Sequence, residues 1–342
     1  MSKVLFICGN PPHPVHSSFA NAIGADFYYL PDGMVHGLMS LRKIPKGYDI
    51  YFTEGLFNYA VLARKFGFIN KSSKIINLFA DPRLFQLVDN KKFNFDSLEV
   101  EKFKPWKRKV ILKLIKKIDG AICLGPLQEE LFRKVAPNVP VEVAYSYINR
   151  NDFFKFKSGL DKNNILFVGG GEDYYCKGLD FLVEVFLKVK EKFKKSKLFI
   201  VGGKWDNFKK DWPNVEFVGN QDIEGLKTYM KHSALYCHFG RGDAFPVAAL
   251  ESMASGIPCF TSETTGVKNV VGDISKEYVF SLNERNRAMK VIMDYFDKPV
   301  VAKKRLGNKF SEAATFFNEK NCINLFKEKF SLLVNKIKED NS

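Results

Sequence analysis

The sequence predicts an α/β protein of two doubly wound parallel-sheet domains that face each other across a cleft. Short runs rich in β-branched and aromatic residues alternate with helical patterns along the whole chain. The strand runs are continuously apolar, as expected for parallel sheets that helices cover on both faces. A polar stretch at 149–164, rich in Asn, Asp and Lys, interrupts this alternation once. It therefore marks the boundary between the two domains.

The elements follow in chain order. The first half contains six predicted strands, with helices such as Phe57–Phe66 and Pro126–Val135 among them: Val4–Cys8, Asp26–Leu30, Asp49–Thr53, Lys74–Phe79, Ala121–Leu124 and Val141–Tyr145. The second half contains a helix at Gly178–Phe193 and five predicted strands: Ile165–Val168, Lys197–Val201, Val215–Val218, Leu235–His238 and Pro258–Thr261. We predict an N-terminal domain at 1–155, a second domain at 156–308 and an amphipathic helical tail at 309–342 that packs back on the first domain.

Composition narrows the classes of function. The chain has 342 residues, 46% of them hydrophobic, which is enough for two globular domains. Its apolar runs are far too short to cross a bilayer, and Val4–Cys8 leads directly into Gly9-Asn10-Pro11-Pro12, as a first strand and turn would. The net charge of +15 favours negatively charged partners: nucleotides, nucleic acid or an anionic membrane. The six cysteines and five histidines show no metal or redox spacing, which predicts reduced thiols in a cytoplasmic protein, no metal site and no cofactor.

Three loops of the second domain follow predicted strands, where open parallel sheets bind ligands. Gly169, Gly170 and Gly171 precede Lys177 at a helix start, a pattern typical of an anion site or of a turn with a solvated lysine. Gly202 and Gly203 end another strand and indicate either a close approach to a nucleoside or a simple turn.

The third loop, "FGRGDAFPVAALESMASGIP", carries two acids eight residues apart. Pro246 suits the first helical turn, and Gly256 suits the end of that helix. Asp243 lies just before the helix, where it is either an N-cap or a ligand-binding group. Glu251 lies among small and apolar residues as if in a core, so its carboxylate needs a polar partner. That partner is either structural or supplied by a substrate.

Five segments between Ile165 and Val271 together resemble one family: "VGGGEDYYCKGLDFLVEVF", "LFIVGG", "NVEFVGN", "YMKHSALYCHFGRGDAFPVAALESMASGIP" and "TTGVKNVV". The chain resembles the retaining glycosyltransferases of family 4 (glycosyltransferase group 1), which have the GT-B fold. The resemblance implies transfer of a hexose from a UDP- or GDP-sugar to an acceptor hydroxyl in glycan, glycolipid or polysaccharide synthesis, without a metal ion.

The resemblance also implies site residues. Asp243, Lys177 and Asp81 match catalytic positions, and Glu251 matches the acid that holds the ribose hydroxyls. The donor-binding positions are Gly9, Gly169, Gly170, Gly171, Lys177, Gly202, Gly203, Arg241, Ala244, Phe245, Pro246, Val247 and Glu251. On the acceptor side, His13 and His16 are candidates for a phosphate or sugar contact, or else loop histidines in water.

Three positions depart from the family's pattern. Asp243 stands where the family usually has the longer Glu, Gly170 stands where it usually has Arg, and Ala80 precedes Asp81 where the family often has His. Arg241 or Arg150 could replace the missing arginine. Two other functions therefore stay open: a nucleotide-sugar-binding module with weakened catalysis, and a GT-B nucleotide-sugar epimerase.

The segment 102–117, "KFKPWKRKVILKLIKK", carries eight basic residues together with Phe103 and Trp106. It predicts either peripheral contact with an anionic membrane at the inner membrane face or a solvated helix face, with Val110, Ile111, Leu114, Ile115 and Ile118 turned to the core. No nucleic-acid motif is present, and the basic residues are dispersed, so we expect no nucleic-acid partner.

Overall fold

The computed structural model describes residues 2–9, 11–31, 37, 39–93, 100–148, 153, 159–170, 174–205 and 208–339, with side chains left out for 92–101. The chain divides into two compact units. The first unit consists of residues 1–92, 102–146 and 319–342, and the second of residues 93–101 and 147–318.

The first unit contains a six-stranded parallel sheet. Its strands are β1 (Val4–Cys8), β2 (Asp26–Tyr29), β3 (Ile50–Glu54), β4 (Lys74–Phe79), β7 (Gly120–Leu124) and β8 (Val141–Ala144), in the order β2-β1-β3-β4-β7-β8. Two short strands, β5 (Lys91–Phe93) and β6 (Val100–Lys102), pair with each other. The helices of this unit are α1 (Pro14–Ala22), α2 (Phe57–Lys65), α3 (Arg83–Asp89), α4 (Pro105–Ile115), α5 (Pro126–Val135) and α12 (Glu319–Glu339), with a 3₁₀ turn at Ser40–Lys43.

The second unit contains another six-stranded parallel sheet, in the order β11-β10-β9-β12-β13-β14. Its strands are β9 (Ile165–Val168), β10 (Leu198–Val201), β11 (Val215–Gly219), β12 (Leu235–His238), β13 (Cys259–Ser262) and β14 (Val279–Phe280). Its helices are α6 (Leu179–Lys192), α7 (Ile223–Lys231), α8 (Val247–Ala254), α9 (Lys268–Ile274), α10 (Arg285–Asp297) and α11 (Val300–Ala314), with 3₁₀ turns at Lys276–Tyr278 and Thr315–Phe317. Counted along this unit, the strand order is 3-2-1-4-5-6, that of a doubly wound nucleotide-binding sheet.

Continuous apolar strands form the centre of each unit. Every residue of β1, β7, β10, β12 and β13 is buried, because helices cover both faces of these sheets. All six cysteines are buried free thiols, in agreement with the sequence prediction of reduced thiols. Burial raises the pKa of the Cys8 thiol to about 12, with a further contribution from Glu54.

The borders of the two compact units differ from the predicted domain borders, which were placed after residues 155 and 308. Apart from residues 93–101, which belong to the second unit, the chain passes into the second unit after Ser146 and returns to the first after Asn318. Helix α11 packs on the second unit, where Ser311 Oγ donates to the carbonyl of Ala254 at 3.0 Å. Helix α12 packs on the first unit, where Phe326 stacks on Phe19 with ring centroids 4.4 Å apart. The predicted helical tail at 309–342 thus comprises the end of α11, a 3₁₀ turn and α12.

No helix among the residues that the structure describes is long and apolar enough to cross a membrane.

Candidate active site

The second sheet reverses its winding between β9 and β12, which are hydrogen-bonded neighbours. The crevice beyond the carboxyl ends of two such strands is where open α/β sheets bind ligands. The loop after β9 begins with Gly169, and the loop after β12 runs from Phe239 to Asp243. The two loops that carry the predicted donor residues therefore lie at the switch point of this sheet.

Glycines allow the backbone segments at this point to approach each other closely. A Cβ on Gly169 would come within 2.7 Å of Lys177 Cδ, and one on Gly202 would meet the carbonyl oxygen of Gly169 at 1.9 Å. Gly178, with φ +71°, leads into α6, and a Cβ there would be 1.7 Å from the carbonyl oxygen of Phe239. The glycines hold three loops against one another and bring Lys177 beside the loop after β12.

Lys177, Asp243 and His238 form a linked polar group at the ends of these strands. Asp243 Oδ2 lies 3.6 Å from Lys177 Nζ and 2.9 Å from Nε2 of the buried His238. His238 Nδ1 lies 3.3 Å from the hydroxyl of Tyr236. A neutral imidazole satisfies both contacts when its Nε2–H donates to Asp243 and its Nδ1 accepts from Tyr236. Burial alone would raise the pKa of Asp243, but Lys177 and the His238 hydrogen bond outweigh it and hold this pKa well below its usual range.

Arg241 links the loop after β12 to the segment at the start of α6 through hydrogen bonds. Its guanidinium donates to both carboxylate oxygens of Asp180, at 2.7 and 2.9 Å, and to the carbonyl of Tyr175 at 2.7 Å. It also lies 4.0 Å from the centroid of the Tyr175 ring. Bidentate Arg–carboxylate pairing is geometrically specific, so it fixes the start of α6 to the loop after β12. A diphosphate contact from Arg241 would have to compete with these bonds.

A second set of hydrogen bonds holds the loop after β12 from the other side. The hydroxyls of Ser262 and Thr264 donate to the carbonyl of Gly240 at 2.6 and 2.7 Å. The backbone N–H of Gly266 donates to the carbonyl of Asp243 at 2.8 Å. These bonds within the chain fix the position of the loop.

Helix α8 begins at Val247, and its N-cap is Pro246 with an extended backbone. Asp243 lies three residues before that cap and bonds His238, so the interpretation of Asp243 as an N-cap is wrong. Glu251 is partly exposed, whereas its neighbours Leu250 and Ser252 are buried. The expectation of a core position for Glu251 is therefore wrong, because the residue is partly exposed.

The remaining predicted donor residues have varied surroundings. Gly170 is exposed, and a Cβ there would meet nothing within 4 Å. Gly203 approaches the side chain of Asn220, and Ala244 and Phe245 are buried. The predicted Gly171 and Arg150 lie outside the described residues.

The first sheet also reverses its winding, between β1 and β3. A pocket of about 270 Å³ beyond these strands is lined by Gly9, His16, Glu54, Asp81 and Arg83, among others. This pocket brings together three residues predicted separately from the sequence, namely Gly9, His16 and Asp81.

His16 and Glu54 form the centre of this pocket. His16, on α1, is 6% exposed, and its Nδ1 lies 2.5 Å from Oε1 of Glu54 at the end of β3. The other carboxylate oxygen of Glu54 is buried and has no hydrogen-bond partner among the described residues. The His13 ring lies 4.5 Å from that of His16, and the pKa of His13 is lowered by burial and by His16, against the opposing effect of Glu54.

Asp81 is paired within the chain. Its carboxylate accepts from the backbone N–H of Arg83 at 2.9 Å and from Nε of Arg83 at 2.7 Å, at the start of α3. Arg83 also donates to the carbonyl of Gly55 at 2.9 Å. Asp81 therefore orients Arg83 at the wall of the pocket.

The sequence reasoning missed Arg83 in the first pocket, and it also missed two strand-end residues, His238 and Glu54. Both are the last residue of a strand next to a switch point, and that position was the available signal. Among the residues that the structure describes, no three His, Cys, Asp or Glu side chains are grouped to hold a metal ion.

Comparison with known protein families finds one matching domain. The family model described as "Glycosyl transferases group 1" matches residues 149–315. The chain carries a group 1 glycosyltransferase domain. The resemblance to group 1 is confirmed, and membership of family 4 in particular stays a prediction. No curated protein matches the sequence.

Solved structures confirm the GT-B fold of the chain. Sucrose-phosphate synthase from Thermosynechococcus elongatus is 14% identical with a TM-score of 0.75, over 98% of this chain and 100% of that one. Anabaena HepE in complex with UDP-glucose is 12% identical with a TM-score of 0.67, over 97% and 100%. The E. coli trehalose-6-phosphate protein bound with UDP-2-fluoro glucose is 13% identical with a TM-score of 0.67, over 98% and 99%.

Proposed function

We propose that this glycosyltransferase is a retaining hexosyltransferase that takes its sugar from a nucleotide-diphosphate donor held at the switch point of the second sheet. The observation that carries the proposal is the Lys177–Asp243–His238 group beside the close-packed glycines Gly169 and Gly202. Two of the similar structures hold UDP-glucose and UDP-2-fluoro glucose, which favours UDP over GDP for the donor.

The proposed donor contacts follow from charge and shape. Lys177 supplies a cation for the diphosphate, and the N-terminus of α8 supplies further positive potential. These groups would stabilise the leaving diphosphate electrostatically, without calling on a metal ion. Glu251, partly exposed on α8, would accept from the ribose hydroxyls. Arg241 is not needed in this scheme, because it holds the loops in place.

In the proposal, Asp243 stabilises the sugar electrostatically. Its hydrogen bond to His238 and its ion pair with Lys177 keep it ionised, so it can stabilise positive charge on the sugar as the bond to the diphosphate breaks. Asp is one methylene shorter than Glu, and the His238 bond fixes its direction.

On the acceptor side, we assign the hydroxyl that receives the sugar to the pocket of the first unit, where the second oxygen of Glu54 has no partner among the described residues.

The test of the donor site is Lys177→Met, which keeps most of the side-chain volume and removes the charge. Charge-assisted hydrogen bonds contribute roughly 1.5–3 kcal/mol, so UDP affinity should fall more than about tenfold. Lys188→Met, at an exposed position of α6, is the control. Unchanged UDP and GDP affinity in Lys177→Met, measured by calorimetry, would remove Lys177 from the site.

Two other functions are separated by incubating the protein with UDP- and GDP-sugars. Slow hydrolysis of the donor supports a transferase, an isomerised sugar supports an epimerase, and binding without turnover supports a binding module. The transferase is favoured because the first unit carries its own polar pocket, which an epimerase would not need.

We also propose that the basic segment 102–117 contacts anionic membranes. Trp106 is 63% exposed and Val110 is 48% exposed, so the expectation that Val110 belongs to a core-facing side is wrong. Binding to anionic vesicles should appear at low salt and weaken as salt rises. Equal binding to neutral vesicles would contradict the electrostatic part of this proposal.

A further inference from the structure

Helix α4 borders an apolar groove of about 420 Å³ in the first unit. The opposite walls come from α2 and α3, with side chains such as Tyr59, Leu62 and Leu87, and α4 contributes Val110 and Leu114. Aliphatic and aromatic side chains dominate the lining, and volumes of this order are typical of small-molecule sites. The groove therefore suits a hydrocarbon chain.

The groove is open because α4 is incompletely covered. Ile115 is the one residue of this helix that is buried, although the helix carries Trp106, Val110, Ile111, Leu112 and Leu114 as well. Exposed aromatic and aliphatic side chains beside a concave apolar surface mark an interaction site. Here they form one rim of the groove.

The charges around the groove are mainly positive. Among the described residues that line it, Lys107 and Arg83 are the cations and Asp81, which Arg83 already pairs, is the one carboxylate. The neighbouring surface adds four more cations, namely Arg108, Lys109 and Lys113 on α4 and Lys116 directly after it. An apolar ligand with an anionic end complements this arrangement.

The groove adjoins the polar pocket at the switch point of the first sheet. Gly55, Asp81 and Arg83 line both. The polar pocket, of about 270 Å³, also contains His16 and Glu54 and has room for a head group rather than for a peptide segment. A molecule with its chain in the groove would thus place its polar end at the proposed acceptor position.

We propose that the groove between α2, α3 and α4 binds the hydrocarbon chain of a lipid-linked acceptor whose head group carries a phosphate. This inference rests on the proposed transferase function, because it names the class of acceptor that this transferase uses. The chain would anchor the acceptor, while Arg83 and Lys107 hold the phosphate near the mouth of the polar pocket.

The experiment measures binding of monomeric octyl, decyl and dodecyl phosphate, and of dodecyl glucoside, to the full chain by calorimetry. Each methylene buried in the groove should tighten binding about threefold to fourfold, the equivalent of ~0.8 kcal/mol per methylene. Val110→Glu should weaken dodecyl phosphate roughly tenfold or more, since it places a charge against the chain. Trp106→Ala, which cannot disturb the core because the side chain is 63% exposed, should weaken it in the same direction.

Val301→Glu is the matched control, an exposed valine on a helix of the second unit that should leave binding unchanged. Arg83→Gln should remove the preference for dodecyl phosphate over dodecyl glucoside while chain-length dependence persists. Affinity that is independent of chain length, or that survives both Val110→Glu and Trp106→Ala, would overturn the chain site. Equal affinity for phosphate and glucoside in the wild type would overturn the phosphate-bearing acceptor.

UDP affinity is measured on the same samples, which separates this inference from the proposed function. Loss of chain binding with intact UDP binding contradicts the inference alone. Intact chain binding without any nucleotide binding contradicts the proposed function and leaves a lipid site that is not an acceptor site.

Discussion

At Asp243, burial and charge act in opposite directions on one carboxyl group. Burial disfavours the ionised form, while Lys177 and the hydrogen bond from His238 favour it and prevail. A group whose pKa is lower in the folded state stabilises that state above its ordinary pKa of about 3.9, and the stabilisation is lost as pH falls below that value. The stability of the second unit therefore depends on the ionisation of Asp243 in acid.

Asp243→Asn tests this dependence, because the amide cannot titrate. At pH 7 the variant should lose about 1–3 kcal/mol of unfolding free energy, as one charged hydrogen bond is weakened and Lys177 loses its partner. The difference from the wild type should shrink between pH 5 and pH 3 in urea unfolding. Asp294→Asn, at an exposed position of α10, is the control. A difference that stays constant over this pH range would contradict the linkage.

A substitution of Glu251 tests the proposed ribose contact. Glu251→Gln keeps the size of the side chain and loses the charged acceptor, so UDP affinity should fall roughly tenfold while the melting temperature moves little. Glu263→Gln, an exposed acid of the same unit, should change neither quantity. If Glu251 instead forms a structural ion pair, the loss should be about 3–5 kcal/mol of stability in the nucleotide-free protein, with unaltered UDP affinity.

At the scale of the element, the start of α6 depends on one glycine. Gly178 has φ +71°, and a Cβ there would lie 1.7 Å from the backbone oxygen of Phe239, so α6 and the loop after β12 would have to separate. Gly219 has a similar φ of +80° but open space around it. Alanine substitutions at the two glycines therefore distinguish two contributions to the loss of unfolding free energy. One is the left-handed backbone, which both share, and the other is the steric clash, which occurs only at Gly178.

Gly219→Ala should cost about 1–2 kcal/mol of unfolding free energy, from the left-handed backbone alone. Gly178→Ala should cost roughly 3 kcal/mol or more and should weaken UDP binding, since Lys177 precedes this glycine. Chemical unfolding and calorimetry measure the two effects. Equal costs for the two substitutions would contradict the close approach as the reason for this glycine.

Most elements of the fold could be predicted from local pattern. Continuous apolar runs such as Val4–Cys8 and Leu235–His238 have the bounds that the sequence predicts, because burial on both faces imposes the pattern. The two-residue strand Val279–Phe280 was missed, since two residues carry no periodicity. The break after Ala314 was also missed, because the sequence there has neither Gly nor Pro and the break reflects packing on different units.

The residues of the candidate site could be predicted individually from the sequence, but the contacts between them could not. Lys177 and Asp243 were identified from loops after strands, yet their contact depends on the order β10-β9-β12, which local pattern does not reveal. The same holds for Arg241, whose partner Asp180 lies sixty-one residues earlier in the chain. The order of the strands in the sheet determines which of the candidate side chains come into contact.

On the scale of the whole molecule, the C-terminal helix completes the first unit. Helix α12 packs on β7 and β8, and Ile337 and Leu333 reach the place where Gly120 has no side chain. Phe326 is fully buried, stacks on Phe19 and lies 5.9 Å from the ring of Phe52. The first unit therefore gains part of its core from a segment that follows the entire second unit in sequence.

Phe326→Ala tests the packing of α12 on the first unit. Leu332→Ala on the same helix is the control, because the Leu332 side chain is 40% exposed. Removing a buried Phe costs about 3–5 kcal/mol, whereas the exposed Leu should cost less than about 0.5 kcal/mol. Because each unit has its own sheet, we expect Phe326→Ala to lower one thermal transition and UDP to raise the other. A single cooperative transition, moved by both Phe326→Ala and UDP, would contradict independent unfolding of the units. Equal effects of the two substitutions would contradict the burial of α12 against the first sheet.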